Sequence, residues 1–237
     1  MSKYLIFGAT GSIGTSLSEQ LNKSNKEIHL VGRKEDELKS LSAKLNCDYS
    51  VLDILSENLP EFLKEEFGSM DISGVAYCIG SIDLKPLKNS KKEDFKKCLD
   101  LNFFPVIEII KSLQDSLKKN NGSIVLFSTV AVQKGFTNHA IIASAKGAIE
   151  GLTVSLAAEF APNIRVNCIA PTLTNSKMSQ NILKSKLMAE GIAKSHPMKR
   201  VGKPEDVASM AKFLLTDESP FITGQIIGVD GGKSSLN

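Results

Sequence analysis

A lysine set among small residues is the first feature that suggests chemistry, in the run A-S-A-K-G-A at residues 143–148. Small neighbours let a helix pack closely, so Lys146 is expected to lie against a cofactor or a subunit interface. One helical turn earlier, where a hydroxyl would be a useful proton donor, the residue is Ile142. Isoleucine has no proton to give, so any acid must come from elsewhere. The alternative for Lys146 is a surface lysine whose stem lies along its helix.

Two other side chains could supply a proton. His139 lies seven residues before Lys146, and an imidazole can donate a proton near neutral pH. The alternative for His139 is a polar residue that starts a helix. Tyr77 carries a hydroxyl near the end of an apolar run, and its alternative role is packing or contact with a cofactor.

A glycine-rich loop, F-G-A-T-G-S-I-G at residues 7–14, follows the first apolar run and opens the first helical pattern. Glycines at this place permit a tight turn and close approach of a pyrophosphate, and the helix start offers free N–H groups to the phosphates. The strand–turn–helix setting makes the pattern specific for a dinucleotide, although a tight structural turn would use the same residues. The residues expected to contact the cofactor are Gly8, Thr10, Gly11, Ser12, Ile13 and Gly14.

The second apolar run ends in L-V-G-R-K, at residues 30–34. An acidic residue at this end would bind the ribose 2′-hydroxyl of NAD, but Arg33 and Lys34 follow Gly32 here. A guanidinium suits a 2′-phosphate, with which it forms a forked, charge-assisted pair. The sequence therefore predicts NADP(H) as cofactor; the alternative is a pair of surface cations.

The elements that must position these residues alternate along the whole chain. Short runs rich in Val and Ile predict strands, and longer periodic segments between them predict helices. This alternation predicts one domain over residues 1–237, an α/β fold with a doubly wound sheet and the ligand at the carboxyl ends of the strands. The predicted strands are 3–9, 27–32, 74–80, 122–128, 164–170 and 225–232, and the predicted helices are 12–24, 34–45, 58–68, 91–118, 139–161 and 204–216.

Composition excludes several classes of protein. A net charge of +3 over 237 residues is too small to indicate nucleic acid or an anionic membrane as partner. No apolar run approaches a membrane span, and no secretory signal is visible, so a cytoplasmic location is expected. The cysteines lack C-x-x-C spacing, which predicts free thiols and no metal site. They are Cys47, Cys78, Cys98 and Cys168.

Taken together, these residues resemble the short-chain dehydrogenase/reductase family, most closely the group that includes 3-oxoacyl-carrier-protein reductases. The most specific match lies in the C-terminal half, in I-R-V-N-C-I-A-P-T-L-T-N-S-K-M and in the closing V-D-G-G. The resemblance implies a single Rossmann-type domain with a seven-stranded parallel sheet and helices on both faces. It also implies a homo-oligomer, either a dimer or a tetramer, and a small-molecule or acyl-thioester substrate.

The resemblance also assigns roles to individual residues. Asn102 matches the catalytic asparagine in the middle of a long helix, Thr129 matches the serine that holds the substrate carbonyl, and Lys146 matches the lysine that binds the nicotinamide ribose. Ile142 occupies the position of the family's catalytic tyrosine, and His139 has the spacing of the tyrosine in the divergent enoyl reductases. Further cofactor contacts implied by the resemblance are Asp53, Ile54, Cys78, Gly80, Pro171, Thr174 and Ser176.

The missing tyrosine leaves three possibilities open. In the first, another group takes its place as proton donor, a role worth about 10²–10⁴ in rate. In the second, the substrate needs less acid assistance, as an activated C=C bond does. Alternatively, the chain binds NADP(H) without turnover, as a partner subunit or a sensor of nucleotide redox state. The segment 175–198 is predicted to be a lid whose apolar residues favour an acyl-type ligand, or else an ordinary packed helix pair.

Overall fold

Seven parallel strands form one sheet in the computed structural model, which describes residues 2–236. Their spatial order is β3-β2-β1-β4-β5-β6-β7, so the predicted doubly wound α/β fold with a seven-stranded parallel sheet is confirmed. The strands are β1 (Lys3–Phe7), β2 (Ile28–Gly32), β3 (Asp48–Val51), β4 (Ile72–Tyr77), β5 (Ser123–Phe127), β6 (Arg165–Pro171) and β7 (Ile226–Val229).

Helices cover both faces of this sheet. Side chains alternate along β1, so that Leu5 and Phe7 join one apolar cluster while Tyr4 and Ile6 join the other. The first cluster lies under α3, α5 and α6, and the second lies under α1, α2 and α9. The helices are α1 (Ser12–Lys23), α2 (Glu35–Leu45), α3 (Leu59–Phe67), α4 (Lys92–Asn102), α5 (Phe104–Lys119), α6 (Ala140–Phe160), α7 (Gln180–Leu183), α8 (Lys186–Lys194) and α9 (Pro204–Leu215).

The chain reverses its direction of winding between β1 and β4, which are neighbours in the sheet although β2 and β3 intervene in sequence. Phe7 of β1 lies between Val31 of β2 and Tyr77 of β4. The loops that leave these strands diverge to opposite sides and open a crevice at their carboxyl ends. The glycine loop therefore lies at the one place in the sheet where such a crevice forms.

The prediction and the structure differ at three elements. The helix predicted over 91–118 is two helices, because Pro105 lacks an N–H and the backbone leaves helical geometry at Phe103 (φ −124°). Asn102 is consequently the last residue of α4 and does not lie in the middle of a long helix. The strand β3 lacks an apolar run, since half of its four residues are exposed, and β7 ends at Val229, the first residue of V-D-G-G, instead of at residue 232.

Among the described helices, α6 alone has the length and composition of a membrane span. The helix packs against α4 and β6 in this structure, and it carries the buried side chain of Lys146. A core helix of an α/β protein meets the same two criteria, so we interpret α6 as part of the protein core.

Candidate nucleotide-binding and catalytic site

The glycine loop is shaped by two close backbone approaches. Gly8 has a φ of +79°, and a side chain there would meet the carbonyl group of Cys78 at 3.1–3.2 Å. A side chain at Gly14 would collide with the carbonyl oxygen of Gly8 and lie 2.9 Å from the Cα of Ala9. These contacts hold the start of α1 against the end of β1, and no side chain caps the helix at Gly11. The first N–H groups of α1 thus remain available to an anion.

Residues at the ends of β2 and β3 line the next part of the crevice. Arg33 and Lys34 are exposed directly after the buried end of β2, and Lys34 forms an ion pair with Glu37 at 2.9 Å. Ile54 is buried, whereas Asp53 is exposed and accepts a hydrogen bond from the backbone of Leu55 at 3.0 Å. Two cations therefore follow β2, and an acidic residue follows the neighbouring strand β3.

Lys146 and Asn102 meet beside Gly80. A side chain added to Gly80 would lie 3.4 Å from the Nζ of Lys146 and 3.1 Å from the Oδ1 of Asn102. Asn102 is fully buried, and its Nδ2 donates to the carbonyl oxygen of Cys98 at 2.9 Å and to the Oγ of Ser81 at 3.2 Å. Its Oδ1 has no hydrogen-bond partner. A buried acceptor and an amine thus face the same small space, as expected where a ligand or water completes the site.

The electrostatics of Lys146 are those of a charge without an acid partner. Its side chain is 6% exposed, and burial lowers the pKa of the amine to about 8. The groups that would favour its charged form, if they were ionised, are the thiols of Cys168, Cys98 and Cys78. Burial in turn raises the pKa of these thiols, to about 12, 11 and 12 respectively, so they are neutral at pH 7 and leave the ammonium unneutralised.

The two hydroxyls after β5 have different environments. Ser128 is buried and donates to the Oε1 of Glu150 at 2.6 Å. Thr129 is half-buried, and its Oγ1 accepts a hydrogen bond from the backbone of Ala131 at 3.3 Å. The Thr129 hydroxyl proton is thus free to bond a substrate oxygen, while Ser128 fastens β5 to α6.

Ile142 lies in a small apolar cluster between α4 and α6. It is 5% exposed and shares the cluster with Cys98, Ile141 and Ala145. The residue at the family's tyrosine position is therefore a packing residue here. A phenol at this position would have to leave the cluster or enlarge it.

The two proposed substitutes for the tyrosine differ in the structure. Tyr77 is buried, its hydroxyl donates to the carbonyl oxygen of Leu101 at 2.7 Å, and burial raises its pKa far above neutrality, so it cannot serve as an acid near pH 7. His139 precedes α6 and is partly exposed, and its Nδ1–H donates to the carbonyl oxygen of Thr137 at 2.7 Å. This bond fixes the ring and leaves Nε2 free for a ligand.

Pro171 ends β6, and the loop after it carries two further predicted contacts. Thr174 is buried, with its hydroxyl donating to the carbonyl oxygen of Thr172 at 3.0 Å. Ser176 accepts a hydrogen bond from the backbone of Ser179 and caps a short 3-10 helix at residues 177–179. This segment leads into the predicted lid, where α8 has no buried residue and exposes Leu187 and Met188.

Sequence reasoning missed two polar groups that hold this site together. Glu150 lies one helical turn after Lys146, and this spacing could have identified it as facing the same crevice wall. Ser81 bonds both Asn102 and the carboxylate of Asp83. Its role depends on the loop after β4, for which the sequence offers no periodic signal. Among residues 2–236, no group of His, Cys, Asp and Glu could hold a metal ion.

The residues present fit a dinucleotide. The loop leaves room for phosphates where side chains would collide, the start of α1 is uncapped, and the orphaned Oδ1 of Asn102 faces the same space as the Lys146 amine. These features lie along one crevice, at the carboxyl ends of β1 and β4.

Comparison with known proteins agrees with this geometry. The family model described as enoyl-(acyl carrier protein) reductase matches residues 8–234. A tropinone reductase homolog of Arabidopsis thaliana is 32% identical over 240 residues, covering 96% of this chain and 90% of the homolog. A 3-oxoacyl-[acyl-carrier-protein] reductase of Rickettsia felis is 31% identical over 234 residues, covering 96% and 95%.

Solved structures share the fold over the whole chain. A short-chain type dehydrogenase/reductase from Mycobacterium ulcerans has a TM-score of 0.91 at 27% identity, covering 100% of this chain and 90% of its own. ElxO, solved with NADP bound, has a TM-score of 0.89 at 26% identity and covers 99% of both chains. The fold, the crevice and these relatives lead to one conclusion: the chain belongs to the short-chain dehydrogenase/reductase family of oxidoreductases.

Proposed function

We propose that this chain is an NADP(H)-dependent oxidoreductase that reduces a carbonyl group or an activated double bond of a small or acyl-type substrate. The observation that carries this proposal is the buried amine of Lys146, which shares a space with the unpaired Oδ1 of Asn102 beside Gly80. A buried charge without an acid partner lowers stability, so its retention indicates a ligand that the amine binds.

The choice of NADP(H) rests on the cations after β2. Arg33 and Lys34 stand where an acidic residue would bind the 2′-hydroxyl of NAD. ElxO, a structural relative, was solved with NADP bound. The guanidinium of Arg33 supplies the planar donor pair that a phosphate accepts.

The chain's own residues then have distinct tasks. The bound cofactor supplies the hydride. Lys146 would bind the ribose hydroxyls, and Asn102 offers its Oδ1 as an acceptor in the same space. Thr129 would donate its hydroxyl proton in a hydrogen bond to the substrate oxygen and stabilise the charge that develops there.

The source of the proton is the step that the absence of the tyrosine leaves open. We assign it to His139, because its Nδ1–H is held by the carbonyl oxygen of Thr137, so that in the imidazolium form the proton on Nε2 is the one free to transfer. The alternative function, a non-catalytic NADP(H)-binding subunit or redox sensor, is favoured by the burial of Ile142 in an apolar cluster. The two functions differ in turnover and agree on cofactor binding.

Cofactor binding is the first test. The chain has no tryptophan, so the emission of bound NADPH can be followed with little protein background. We expect NADPH to bind more tightly than NADH. Equal or tighter binding of NADH would contradict the assignment of NADP(H), and binding of neither nucleotide would remove both functions.

Turnover is the second test, with NADPH oxidation measured on an acetoacetyl thioester and on a 2-enoyl thioester. His139→Asn keeps a residue that can cap α6 but removes the imidazole. We expect it to lower turnover by about 10²-fold or more, the ordinary worth of a general acid. Unchanged turnover in His139→Asn rules out the histidine as acid. If the natural chain shows no turnover and Ile142→Tyr restores turnover, the result would favour the non-catalytic function.

The dimer or tetramer and the cytoplasmic location stay predictions. Phe104 of α5 and Val154 of α6 are half exposed, which supports assembly through the outer faces of these helices. Measurement of the molar mass in solution tests this directly, and a monomer would contradict it.

A further inference from the structure

The start of the predicted lid is fastened across the nucleotide crevice at two points. The backbone N–H of Lys177 donates to the Oγ of Ser12, at the start of α1, at 3.2 Å. The Nζ of Lys177 lies 3.3 Å from the Oε2 of Glu37, in the first turn of α2. Residues 140 positions apart in the chain thus meet beside the starts of α1 and α2.

Glu37 is shared between two cations. Its Oε1 pairs with the Nζ of Lys34 at 2.9 Å, and its Oε2 pairs with Lys177. The two lysines lower the pKa of this carboxyl, chiefly through the hydrogen bond from Lys34. Arg33, the residue before Lys34, is exposed beside them. One carboxylate therefore holds two of the cations that cluster at the end of β2.

We propose that Lys177 is a specificity residue for the 2′-phosphate of NADP(H), and that the Glu37 carboxylate pairs with Lys177 until the phosphate binds. This inference rests on the proposed function and adds a residue of the lid to the cofactor site. The phosphate would replace Glu37 as the partner of Lys34 and Lys177, and a residue near the start of the lid would then be bonded to the cofactor itself.

The exchange is favoured by charge and by geometry. A phosphate monoester carries up to two negative charges and three strong acceptor oxygens, whereas Glu37 offers one charge and two oxygens. The backbone of Lys177 is held by Ser12, while its side chain is 68% exposed and free to turn. The 2′-hydroxyl of NADH cannot compete with the carboxylate, so the exchange would discriminate between the two cofactors.

The test compares the nucleotides on four proteins: the natural chain, Lys177→Met, Glu37→Gln and the control Lys184→Met. Lys184 is an exposed lysine of the same segment, and its change tests the general effect of one lost positive charge. Dissociation constants are measured from NADPH and NADH emission, and 2′,5′-ADP and 5′-AMP are measured by competition with NADPH. The last pair carries no nicotinamide and differs only in the 2′-phosphate.

We expect Lys177→Met to weaken binding of NADPH and 2′,5′-ADP by about 3- to 10-fold, the range of a partly exposed charge-assisted contact, with NADH and 5′-AMP unchanged. Glu37→Gln should tighten NADPH by a similar factor, because the competing charge is gone. Lys184→Met should leave all four ligands within about twofold.

Two results would overturn the inference. If Lys177→Met weakens NADPH and NADH equally, the lysine acts on the lid and does not read the phosphate. If Lys177→Met leaves NADPH unaffected, the ion pair with Glu37 is only a surface contact. Both results require a natural chain that binds NADPH, so they are distinct from failure of the proposed function, which shows as no binding of either nucleotide.

Discussion

Replacing Lys146 with methionine should stabilise the unliganded protein. The side chain is 6% exposed, and burial lowers the pKa of its amine to about 8 from an ordinary value of 10.5. Below pH 8 the amine is charged in both the folded and the unfolded chain, so the folded state bears the whole desolvation penalty. Methionine has a similar length and no charge, and it removes this penalty.

The size of the gain and its dependence on pH follow from the pKa difference. At about 1.4 kcal/mol per pH unit, the gap between about 8 and 10.5 corresponds to about 3 kcal/mol. Between these two values the unfolded chain holds the proton and the folded chain does not, so stability of the natural chain rises with pH. The gain from Lys146→Met should therefore be about 3 kcal/mol at pH 7 and about 1 kcal/mol at pH 10.

Urea unfolding followed by far-UV circular dichroism, at pH 7 and pH 10, measures both quantities on the natural chain and on Lys146→Met. NADPH titration of the same proteins should show that the more stable variant has lost affinity for the cofactor, because the amine that would bind the ribose is gone. A variant that is less stable at pH 7, or a gain that does not change with pH, would refute the reasoning about the buried charge.

Further predictions concern the same crevice. Affinity for NADPH should fall as pH rises above 8, by up to about tenfold per pH unit, because binding requires the protonated amine of Lys146; a flat profile up to pH 10 in fluorescence titration would contradict this. Gly14→Ala should lower the free energy of unfolding by about 1–3 kcal/mol or more, since its side chain would meet the carbonyl of Gly8, whereas Gly151→Ala, in open space on α6, should raise it by about 0.5–1 kcal/mol in the same urea experiment. Gly80→Ala should weaken NADPH binding with its circular dichroism unchanged, because the new methyl group lies 3.4 Å from the Lys146 amine, and normal affinity would show that this space is not used.

The features that could be predicted from the sequence are those that depend on near neighbours. The turn of the glycine loop is one, because a side chain at Gly14 would collide with the carbonyl of Gly8, only six positions earlier, although the approach of Gly8 to Cys78 joins two strands. The small residues around Lys146 likewise indicated its burial, since α6 could then pack closely. Both signals are local spacings on a single element.

Other features depend on residues that only the fold brings together. The helix break after Asn102 is predictable from Pro105. The unpaired Oδ1 of Asn102 that faces Lys146 is not, because it depends on where the fold places Gly80. The sequence offers Tyr77 as an acid, and its contact with the carbonyl of Leu101 is visible only in the fold. No periodicity could have predicted such contacts, because they join different elements across the sheet.

The packing of α1 against α9 bears on when the nucleotide crevice can form during synthesis. Gln20 of α1 donates to the carbonyl oxygen of Glu205 and accepts from the hydroxyl of Ser209. The helix that opens the glycine loop therefore gains its outer support only after residue 209 has left the ribosome. Until then α1 packs only on α2 and the sheet, and the side that α9 covers in the folded protein stays exposed to solvent.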